Sequence, residues 1–516
     1  MVSAKKSTSL DKPRSRVFRD PIHGDIFAGP LQSSIVDTTL FQRLRFIRQN
    51  GLLHLVFPGA VHTRFAHSLG TMHLAQRVFA VLFPEYSPRQ SNFARSKALS
   101  YIGTVFETTA LLHDIGHCAF SHSIERIKLD SKPFFPPLAT LVEVWSKKEA
   151  PGLSKWWRSR TGSGEYSPPK ETQHEDLGLL MVGVLFGGYY PHVSETCKSL
   201  LKVDPEIFAD DVRAMLVSGH KLKPSDRFLG YAEDVTKTIR GVSKMDGRKR
   251  AEDLLVALHT LVSGTLDVDR LDYLVRDSHY TGTPYGVCDV EVLVNGLCLA
   301  VSKEPDVTLV HALRSRATRA LDDLLWSRYQ LFSQVLNHKT NVVLNALLAD
   351  AIPEAISEVS ISIKQPKAFI DFVEFTDDHV LSTVIRACLR SEHRDKAYDR
   401  ALVHRALPLY LGKLDLSGEE AHDLNRLEDE KSRFAQTVLG SESRVSDIRT
   451  WSVDSALIKG GGMPHVIVYD KAARRDVLKA PGAPGNYQIL EWTRDRKLPA
   501  QVKSYHFFVD RNCIPK

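Results

Sequence analysis

The 516-residue sequence predicts a mainly α-helical fold with a smaller α/β lobe at the C-terminal end. Apolar residues recur at helical spacing over most of the chain, as far as Leu439. Strand-like runs come only later, at residues 466–469 and 505–509, with glycine- and proline-rich turns between them. Because a chain of this length exceeds one ordinary core, we expect a large helical domain followed by a smaller lobe.

Composition narrows the class of protein. With 43% hydrophobic and 25% charged residues the chain is typical of a globular protein, and its net charge of +7 suits an anionic ligand without singling out nucleic acid. The six cysteines lie far apart and form no CxxC pair, which indicates reduced thiols in a cytoplasmic protein. No apolar run approaches the roughly 18 to 20 residues of a membrane helix, so we expect no membrane partner.

The order of the elements follows from spacing and from breaks in the pattern. Residues 1–15 are polar and basic, and we expect them to form a disordered tail. Residues 16–350 are expected to form the catalytic domain and residues 351–516 the C-terminal lobe, with a regulatory or oligomerisation role. Residues 128–172 have the character of an insertion, because tryptophans and a polar stretch interrupt the helical pattern. The predicted helices cover residues 33–49, 64–78, 106–115, 251–263, 268–277 and 318–348.

A His-Asp pair at positions 113 and 114 is the centre of a predicted metal site. With His67 upstream and Asp269 in an Asp-Val-Asp-Arg run, the pair supplies two imidazoles and two carboxylates, which suit a divalent metal. Few protein ligands leave positions open for water and substrate, so the pattern favours a metal-dependent phosphohydrolase. The predicted ligands are His67, His113, Asp114 and Asp269, and Mn, Mg, Fe and Zn all remain open as the ion.

Basic residues near these ligands are candidates for holding phosphate groups. Arg64 precedes the first ligand by one helical turn, whereas Arg270 and Tyr273 follow the last ligand within about a turn. Arg328 belongs to the later predicted helix over residues 318–348. Arginine matches phosphate through two parallel hydrogen bonds, so these residues are predicted to bind the substrate.

Histidines that follow the His-Asp pair are candidate proton donors, because imidazole titrates near neutral pH. His117 lies one turn after the first histidine of the pair, and a break at Gly116 would bring His122 back toward the metal. His174 is either an acid near the metal or a surface residue. Asp277 is either a solvated charge or a contact to a sugar hydroxyl.

These motifs resemble those of the HD-superfamily deoxynucleoside triphosphate (dNTP) triphosphohydrolases. The resemblance covers roughly residues 16–350, and we expect no SAM domain before it, unlike the mammalian SAM-and-HD-domain dNTPase. The motifs that carry it are Asp-Pro-Ile-His-Gly at 20–24, Phe-Gln-Arg-Leu-Arg at 41–45, Phe-Pro-Gly-Ala at 57–60, Arg-Phe-Ala-His-Ser-Leu-Gly at 64–70, the His-Asp run at 113–122 and Asp-Val-Asp-Arg-Leu-Asp-Tyr at 267–273.

The resemblance implies a helical HD domain, a reaction and a set of residue roles. The implied reaction cleaves a dNTP at the α-phosphorus and releases a deoxynucleoside and triphosphate, in dNTP pool control or phage defence. The four predicted ligands and the four phosphate-binding candidates match the family's positions. The catalytic residues that it implies are His117, His122, His174 and Glu125. The residues that it places near the sugar 3′-hydroxyl are Gln49 and Asp277.

The resemblance also implies control by a nucleotide effector and assembly into a homo-oligomer, either a dimer or a tetramer. The positions that match an effector site are Arg16, Val17, Asp37, Gln42 and Arg45. A purely structural interpretation is equally good here, since Gln42 and Arg45 could tie neighbouring helices together.

Three hypotheses for the activity therefore stand beside one another. The first is the dNTP triphosphohydrolase, although Asn50, Phe332 and Leu336 depart from the family pattern around the sugar and leave the preference for deoxyribose open. The second is a phosphodiesterase or nuclease acting on nucleic acid, which only the basic residues of the insertion favour. The third is a nucleotide-sensing scaffold with a weak active site.

Overall fold

The computed structural model describes residues 14–86, 96–125, 127–129, 131–217, 222–239, 242, 245–302, 307–357, 366–389, 397–402, 404–417, 423–456, 465–469, 486–488 and 501–509. The fold over these residues is mainly α-helical, which confirms the predicted class. The helices are α1 (Pro30–Val36), α2 (Thr39–Gln42), α3 (Arg64–Leu82), α4 (Lys97–Leu112), α5 (His122–Glu125), α6 (Leu138–Ser146), α7 (Leu153–Gly162), α8 (His174–Phe186), α9 (Pro191–Leu201), α10 (Pro205–Leu216), α11 (Asp226–Thr236), α12 (Gly247–Val262), α13 (Val268–Thr281), α14 (Val290–Gly296), α15 (Thr318–Gln330), α16 (Lys339–Ser357), α17 (Phe369–Glu374), α18 (Asp377–Leu389), α19 (Ala397–Leu402) and α20 (Leu424–Phe434).

Small sheets accompany the helices. The strands are β1 (Arg16–Asp20), β2 (Gly24–Ala28), β3 (Lys128–Leu129), β4 (Lys132–Pro133), β5 (Leu297–Ser302), β6 (Thr308–Arg314), β7 (Leu409–Ser417), β8 (Ile448–Ala456), β9 (His465–Tyr469), β10 (Asn486–Gln488) and β11 (Gln501–Val509). β1 pairs with β2 and β3 with β4, both antiparallel. β11 lies between β7 and β8 in an antiparallel sheet. β9 pairs with β6 in parallel, so a strand from the C-terminal part joins the sheet order β10-β9-β6-β5.

Helices α3, α4 and α13 form the centre of the fold and carry the predicted ligands. α3 and α4 are buried along most of their length. α13 packs against α3 at Gly70, where a Cβ atom would lie only 1.9 Å from Oδ1 of Asp272. Glycine is therefore required at position 70 for this close approach.

Two predicted helices are interrupted, so those predictions are wrong in detail. The segment 33–49 is divided because α1 ends at Val36 and the Thr38 hydroxyl caps α2 by accepting the N–H of Phe41. The segment 318–348 is divided by a π-helical turn over Leu331–Leu336, after which α16 begins. Such turns displace side chains from α-helical positions and are frequent at functional sites.

The C-terminal residues contribute to two apolar clusters. Phe369 and Phe372 of α17 pack with the buried Trp145 of α6, and α16 runs through residue 350 without interruption. A second cluster lies between α20 and the sheet of β7, β11 and β8, where Phe507 is fully buried. Strand β7 falls in a stretch that was expected to be helical, although leucines at 409, 411, 414 and 416 favour a strand.

No single helix in the described part of the chain is both long and apolar enough to cross a bilayer. The pair α8 and α9 reaches that length and composition only when both helices are counted together, across a bend of 78°. α8 is buried in the helical core from Leu177 to Phe186.

A buried carboxyl group joins α3 and α4. Glu107 of α4 accepts a hydrogen bond from Gln76 of α3 at 3.1 Å and another from the hydroxyl of Tyr86. Burial raises the pKa of Glu107 to about 7, although both hydrogen bonds oppose the shift. The two helices that present the metal-site histidines are thus held together by a group that favours its protonated form.

Glu107→Gln should remove a pH-dependent part of the free energy of unfolding. Because the folded-state pKa is raised, the folded protein binds this proton more tightly than the unfolded chain does. The resulting stabilisation is complete below pH 4.5 and is lost as the pH rises to about 7, a change on the order of 3 kcal/mol. Urea unfolding across this range should therefore show a steeper loss of stability for the wild type than for Glu107→Gln. Glu143→Gln, on the exposed side of α6, is the control and should follow the wild type; identical slopes for all three proteins would contradict the prediction.

Candidate metal centre and active site

The starts and ends of three helices position the four predicted ligands. His67 lies near the start of α3, His113 and Asp114 directly follow the end of α4, and Asp269 lies in the first turn of α13. Asp267 begins α13 by accepting the N–H of Arg270 at 2.7 Å, which fixes the direction in which that turn presents its side chains.

The ligand atoms of His67, His113 and Asp269 lie within 4.8 Å of one another, and the carboxylate of Asp114 lies beside them. Nε2 of His67 lies 3.2 Å from Nε2 of His113, 3.0 Å from Oδ1 of Asp269 and 3.6 Å from Oδ2 of Asp114. Nε2 of His113 lies 3.4 Å from Oδ1 of Asp114 and 3.6 Å from Oδ1 of Asp269. Atoms that are each about 2.1 Å from one ion lie about 3.0 to 3.4 Å apart. This donor set fits a divalent cation.

Hydrogen bonds at Nδ1 orient both imidazoles of this donor set. Nδ1 of His113 lies 2.8 Å from the carbonyl oxygen of Ala110, and Nδ1 of His67 lies 2.7 Å from Oδ2 of Asp272. Because Nδ1 is engaged in each ring, Nε2 is the nitrogen left for a metal.

Asp272 is the centre of a buried charge network that sequence reasoning did not assign to the site. It accepts a hydrogen bond from Arg276 at 2.8 Å, and Nε2 of His23 lies 2.6 Å from its other oxygen. Arg276 also donates to Asp20 at 2.8 Å, so the Asp-Pro-Ile-His-Gly motif supports His67 through α13. The spacing of Asp272 and Arg276, one turn apart in α13, was the available signal.

The charges around the ligands shift their protonation strongly. Burial opposes protonation of His67, but its hydrogen bonds with Asp269 and Asp272 outweigh burial and raise its pKa to about 10. Burial likewise opposes the charge on Asp114, yet the guanidinium of Arg64 and the imidazole of His113 bring its pKa well below the usual range. The site therefore carries negative charge that stabilises a cation.

Three histidines form a second group beside the ligands. The ring of His117 stacks on that of His174 with centroids 3.7 Å apart, and His122 meets both rings edge-on at 5.1 and 4.9 Å. Glu125 joins them, since its carboxylate lies 2.8 Å from Nδ1 of His174 and 3.2 Å from Nδ1 of His122. The structure thus brings together the four residues for which the resemblance implied catalytic roles.

The members of this group differ in their electrostatics. Burial, together with the positive charge of Arg64, lowers the pKa of His117 well below its usual value, which favours a neutral ring. Burial would raise the pKa of Glu125, but the hydrogen bonds with His122 and His174 bring it below its usual range. A carboxylate therefore faces the Nδ1 atoms of His122 and His174.

A cavity of about 490 Å³ opens over the ligands and the histidines. Its volume lies in the range that small-molecule sites occupy. The predicted residues that line it are Gln49, Arg64, His113, Asp114, His117, His122, His174, Asp269, Arg270, Tyr273, Asp277 and Arg328. His67 lies directly behind its wall and is fully buried.

The candidate phosphate-binding residues are held by neighbouring groups. Arg64 donates to the Ser121 hydroxyl at 2.9 Å and to the carboxylate of Asp114. Arg328 donates to the hydroxyl of Tyr273 at 3.2 Å. Arg270 donates to the carbonyl oxygen of Thr265 at 2.7 Å. These guanidinium groups are therefore fixed in place before any ligand binds, which reduces the entropy cost of binding phosphate.

Polar atoms in another part of the cavity wall are free to meet a ligand. Oε1 of Gln49 and Nδ2 of Asn50 are buried at the cavity, and neither has a hydrogen-bond partner among the described residues. Asp277 also lines the cavity, but its Oδ1 lies 2.6 Å from Nε2 of His62. Phe332 and Leu336, from the π-helical turn, complete this wall.

The five residues matched to an effector site lie outside this cavity. Arg16 and Asp37 form a two-fold hydrogen bond, and both side chains are about half exposed. Arg45 donates to Gln42 at 2.8 Å, and Gln42 donates to the carbonyl oxygen of Val36 at 2.7 Å. Val17 is 61% exposed. These bonds tie α1, α2 and β1 together, as the structural interpretation expects.

Comparisons with known proteins show what this chain is similar to. No protein-family model matches the chain. The SAMHD1 homologue of Dictyostelium discoideum, a deoxynucleoside triphosphate triphosphohydrolase, is 27% identical over 366 residues, which cover 69% of this chain and 53% of that protein. The human enzyme SAMHD1 is 26% identical over 347 residues, which cover 67% of this chain and 46% of the human protein. The chain is thus similar over about two thirds of its length to dNTP triphosphohydrolases, which confirms the predicted resemblance.

Three further relatives are uncharacterized proteins. An uncharacterized protein of Methanocaldococcus jannaschii is 24% identical over 376 residues, which are 72% of this chain and 58% of that protein. The chain spans about half the length of the curated relatives that it matches. A crystal structure of a hypothetical protein from Aquifex aeolicus superposes with a TM-score of 0.59 at 21% identity, covering 96% of this chain and 97% of the other, so the fold is shared along nearly the whole chain.

Removing one ligand should abolish metal binding. His113→Ala and Asp269→Ala each delete one of the four converging donors, so the purified proteins should contain at least about tenfold less divalent metal than the wild type. Elemental analysis after dialysis measures this directly. His279→Ala, exposed on the same helix as Asp269, is the control and should keep the wild-type metal content; full metal occupancy in either ligand variant would exclude the proposed ligand set.

Gly116→Ala should displace the histidine group. A Cβ atom at Gly116 would lie 1.9 Å from the carbonyl oxygen of His174 and 2.5 Å from the N–H nitrogen of Gly178, so the turn and α8 must separate. We expect an overpacking cost of about 1 to 3 kcal/mol in the free energy of unfolding, measured in urea. Gly230→Ala, in α11, meets nothing within 4 Å and should leave the stability unchanged or slightly raised. Equal stability of the two variants would contradict the close approach.

Proposed function

We propose that the protein is a metal-dependent dNTP triphosphohydrolase, which converts a dNTP and water into a deoxynucleoside and triphosphate. The observation that carries the proposal is the convergence of two imidazoles and two carboxylates at one end of a cavity lined by Arg64, Arg270 and Arg328. The deoxynucleoside triphosphate triphosphohydrolase activity of the SAMHD1 relatives supports the same reaction.

The proposed metal would be held by His67, His113, Asp114 and Asp269. When bound, a divalent ion activates water as a nucleophile and offsets charge on the phosphate oxygens. Arg64, Arg270 and Arg328 would bind the remaining phosphate oxygens, because guanidinium groups offer paired donors to an anion. Tyr273 would assist by holding Arg328 in its position.

Protonation of the leaving oxygen is assigned to the histidine group. His122 is the most exposed of the three rings, with 65% of its side chain accessible, and it lines the cavity. Glu125 would stabilise the protonated form of His122 or His174, because a carboxylate favours a neighbouring imidazolium. The buried His117, with its lowered pKa, would serve as a neutral ring that supports the other two.

The sugar would lie against the part of the cavity wall that carries Gln49 and Asn50. Gln49 and Asn50 offer a buried acceptor and a buried donor there, and both remain without partners among the described residues. Asp277 would contact the 3′-hydroxyl, with His62 orienting its carboxylate. The base preference, nucleotide regulation through Arg16, Val17, Asp37, Gln42 and Arg45, a homo-oligomeric state and a cytoplasmic location belong to the proposal as further predictions.

The nuclease hypothesis finds less support in the insertion. Arg160 forms ion pairs with Glu165 at 2.8 Å and with Asp210 at 3.1 Å, and Lys147 pairs with Glu143 at 3.1 Å. Basic groups engaged in this way offer less attraction to a phosphate backbone than free ones do.

The test is the identity of the products. Incubation with each of the four dNTPs and four ribonucleotides, plus Mn²⁺ or Mg²⁺, should release nucleoside and inorganic triphosphate in equal amounts, separated by ion-exchange chromatography. Asp114→Ala should lower this release at least about a hundredfold, because it removes a ligand and the partner of Arg64. Comparison of deoxy- and ribonucleotides decides the sugar preference.

Three results would reject the proposal. Release of diphosphate or monophosphate in place of triphosphate would assign a different bond. Shortening of single-stranded DNA without triphosphate release would favour the nuclease. Nucleotide-dependent assembly without turnover, unchanged in Asp114→Ala, would favour the sensor.

A further inference from the structure

A carboxylate from the C-terminal part of the chain holds two backbone segments beside the candidate active site. Asp377 is the first residue of α18 and is fully buried. Its Oδ1 accepts the N–H of Phe120 at 2.8 Å, and its Oδ2 accepts the N–H of Arg48 at 3.0 Å. These two residues lie 257 and 329 positions earlier in the chain, so only the tertiary fold brings the three together.

This use of an aspartate at a helix start is unusual. Such a residue ordinarily faces solvent or accepts N–H groups of its own helix. The neighbouring Asp378 illustrates the ordinary case, since its side chain is 55% exposed and pairs with the guanidinium of Arg48 at 2.8 Å. Asp377 instead directs both oxygens away from α18 and satisfies two N–H groups of other segments.

The first of these segments has a strained backbone. Phe120 and Ser121 adopt φ values of 57° and 52°, in the left-handed region that residues with a side chain rarely occupy. Two charged side chains bond directly to these two residues: the Asp377 carboxylate accepts the N–H of Phe120, and the Arg64 guanidinium donates to the hydroxyl of Ser121. His122 follows directly, so the turn determines where its imidazole enters the cavity.

The second segment forms a neighbouring part of the cavity wall. Arg48 immediately precedes Gln49 and Asn50, which both line the cavity. The N–H of Gln49 donates a hydrogen bond to the carbonyl oxygen of His62 at 3.0 Å. Two consecutive N–H groups of this segment, those of Arg48 and Gln49, are therefore bonded to other parts of the fold. One carboxylate therefore spans the segments that carry Gln49 and His122.

We propose that Asp377 is a positioning residue that sets the relative placement of His122 and Gln49 in the cavity wall. Asp377 is not among the residues that line the cavity. It acts through the hydrogen bonds that it accepts from the N–H groups of Phe120 and Arg48. A group that holds reacting side chains at the correct separation contributes to the rate without touching the substrate. The kinetic consequence rests on the proposed triphosphohydrolase activity, whereas the structural consequence does not.

The test compares Asp377→Asn with Asp378→Ala in the full chain. Asparagine keeps the shape of the side chain but retains one acceptor oxygen, so one of the two N–H groups loses its partner. We expect kcat for triphosphate release to fall about tenfold while the metal content per chain stays at the wild-type value. Asp378→Ala removes only the exposed ion pair and should keep the wild-type kcat.

Hydrogen–deuterium exchange provides a readout that does not depend on activity. Peptides that contain residues 47–51 or 118–123 should exchange faster in Asp377→Asn, whereas peptides from α3 and α13 should keep their protection. Unchanged exchange in both segments would overturn the proposal. Faster exchange throughout the chain, with loss of metal, would also overturn it, because Asp377 would then act on the fold as a whole. If the wild type hydrolysed no nucleotide, the proposed function would fail while exchange still decided this inference.

Discussion

Concentrated negative charge in a buried space is the constraint on which the rest of the site depends. Asp114, Asp267 and Asp272 are almost fully buried, and Asp269 joins them at the mouth of the cavity. A buried carboxylate without a cationic or hydrogen-bonding partner costs several kcal/mol, so each one must be compensated. Arg64 pairs with Asp114 and Arg276 with Asp272, whereas Asp269 is held by the imidazoles of His67 and His113. The point between those imidazoles is where a divalent cation would be stabilised most.

The compensating cations come from distant parts of the chain, which makes the site and the fold interdependent. Arg276 joins α13 to Asp20 at the end of β1, so the N-terminal hairpin supports a metal-site histidine. Arg43 is fully buried and donates to the carbonyl oxygens of Ile115 and His117, in the turn that carries the histidine group. A guanidinium bonded to carbonyl oxygens fixes a turn that has few regular backbone bonds of its own. Loosening the fold at these points would therefore disturb ligand geometry before it exposed the core.

The sequence predicted the parts of this arrangement that follow from local spacing. Charged and imidazole side chains one helical turn apart share a face, and this rule selected Arg64 with His67, and Asp269 with Tyr273. The four predicted ligands do converge, with Nε2 of His67 within 3.6 Å of all three others. Helix continuity was predicted less well, because the periodicity of apolar residues does not register a capping hydroxyl such as that of Thr38 or a π-helical turn at 331–336.

The residues that spacing could not select act mainly through the backbone. Arg43 bonds carbonyl oxygens and Asp377 bonds N–H groups, and such partners exist at nearly every position, so no residue pattern identifies them in advance. A contact between two side chains, such as that of Asp272 with His67, is easier to recognise in a sequence, because a carboxylate and an imidazole are both characteristic residue types of metal sites. His122 follows a turn with left-handed backbone conformation. The position of its ring therefore depends on the groups that bond to the backbone of that turn more than on the residues next to it in sequence. The geometry of this cavity therefore depends on contacts from distant parts of the chain as well as on the motifs that line it.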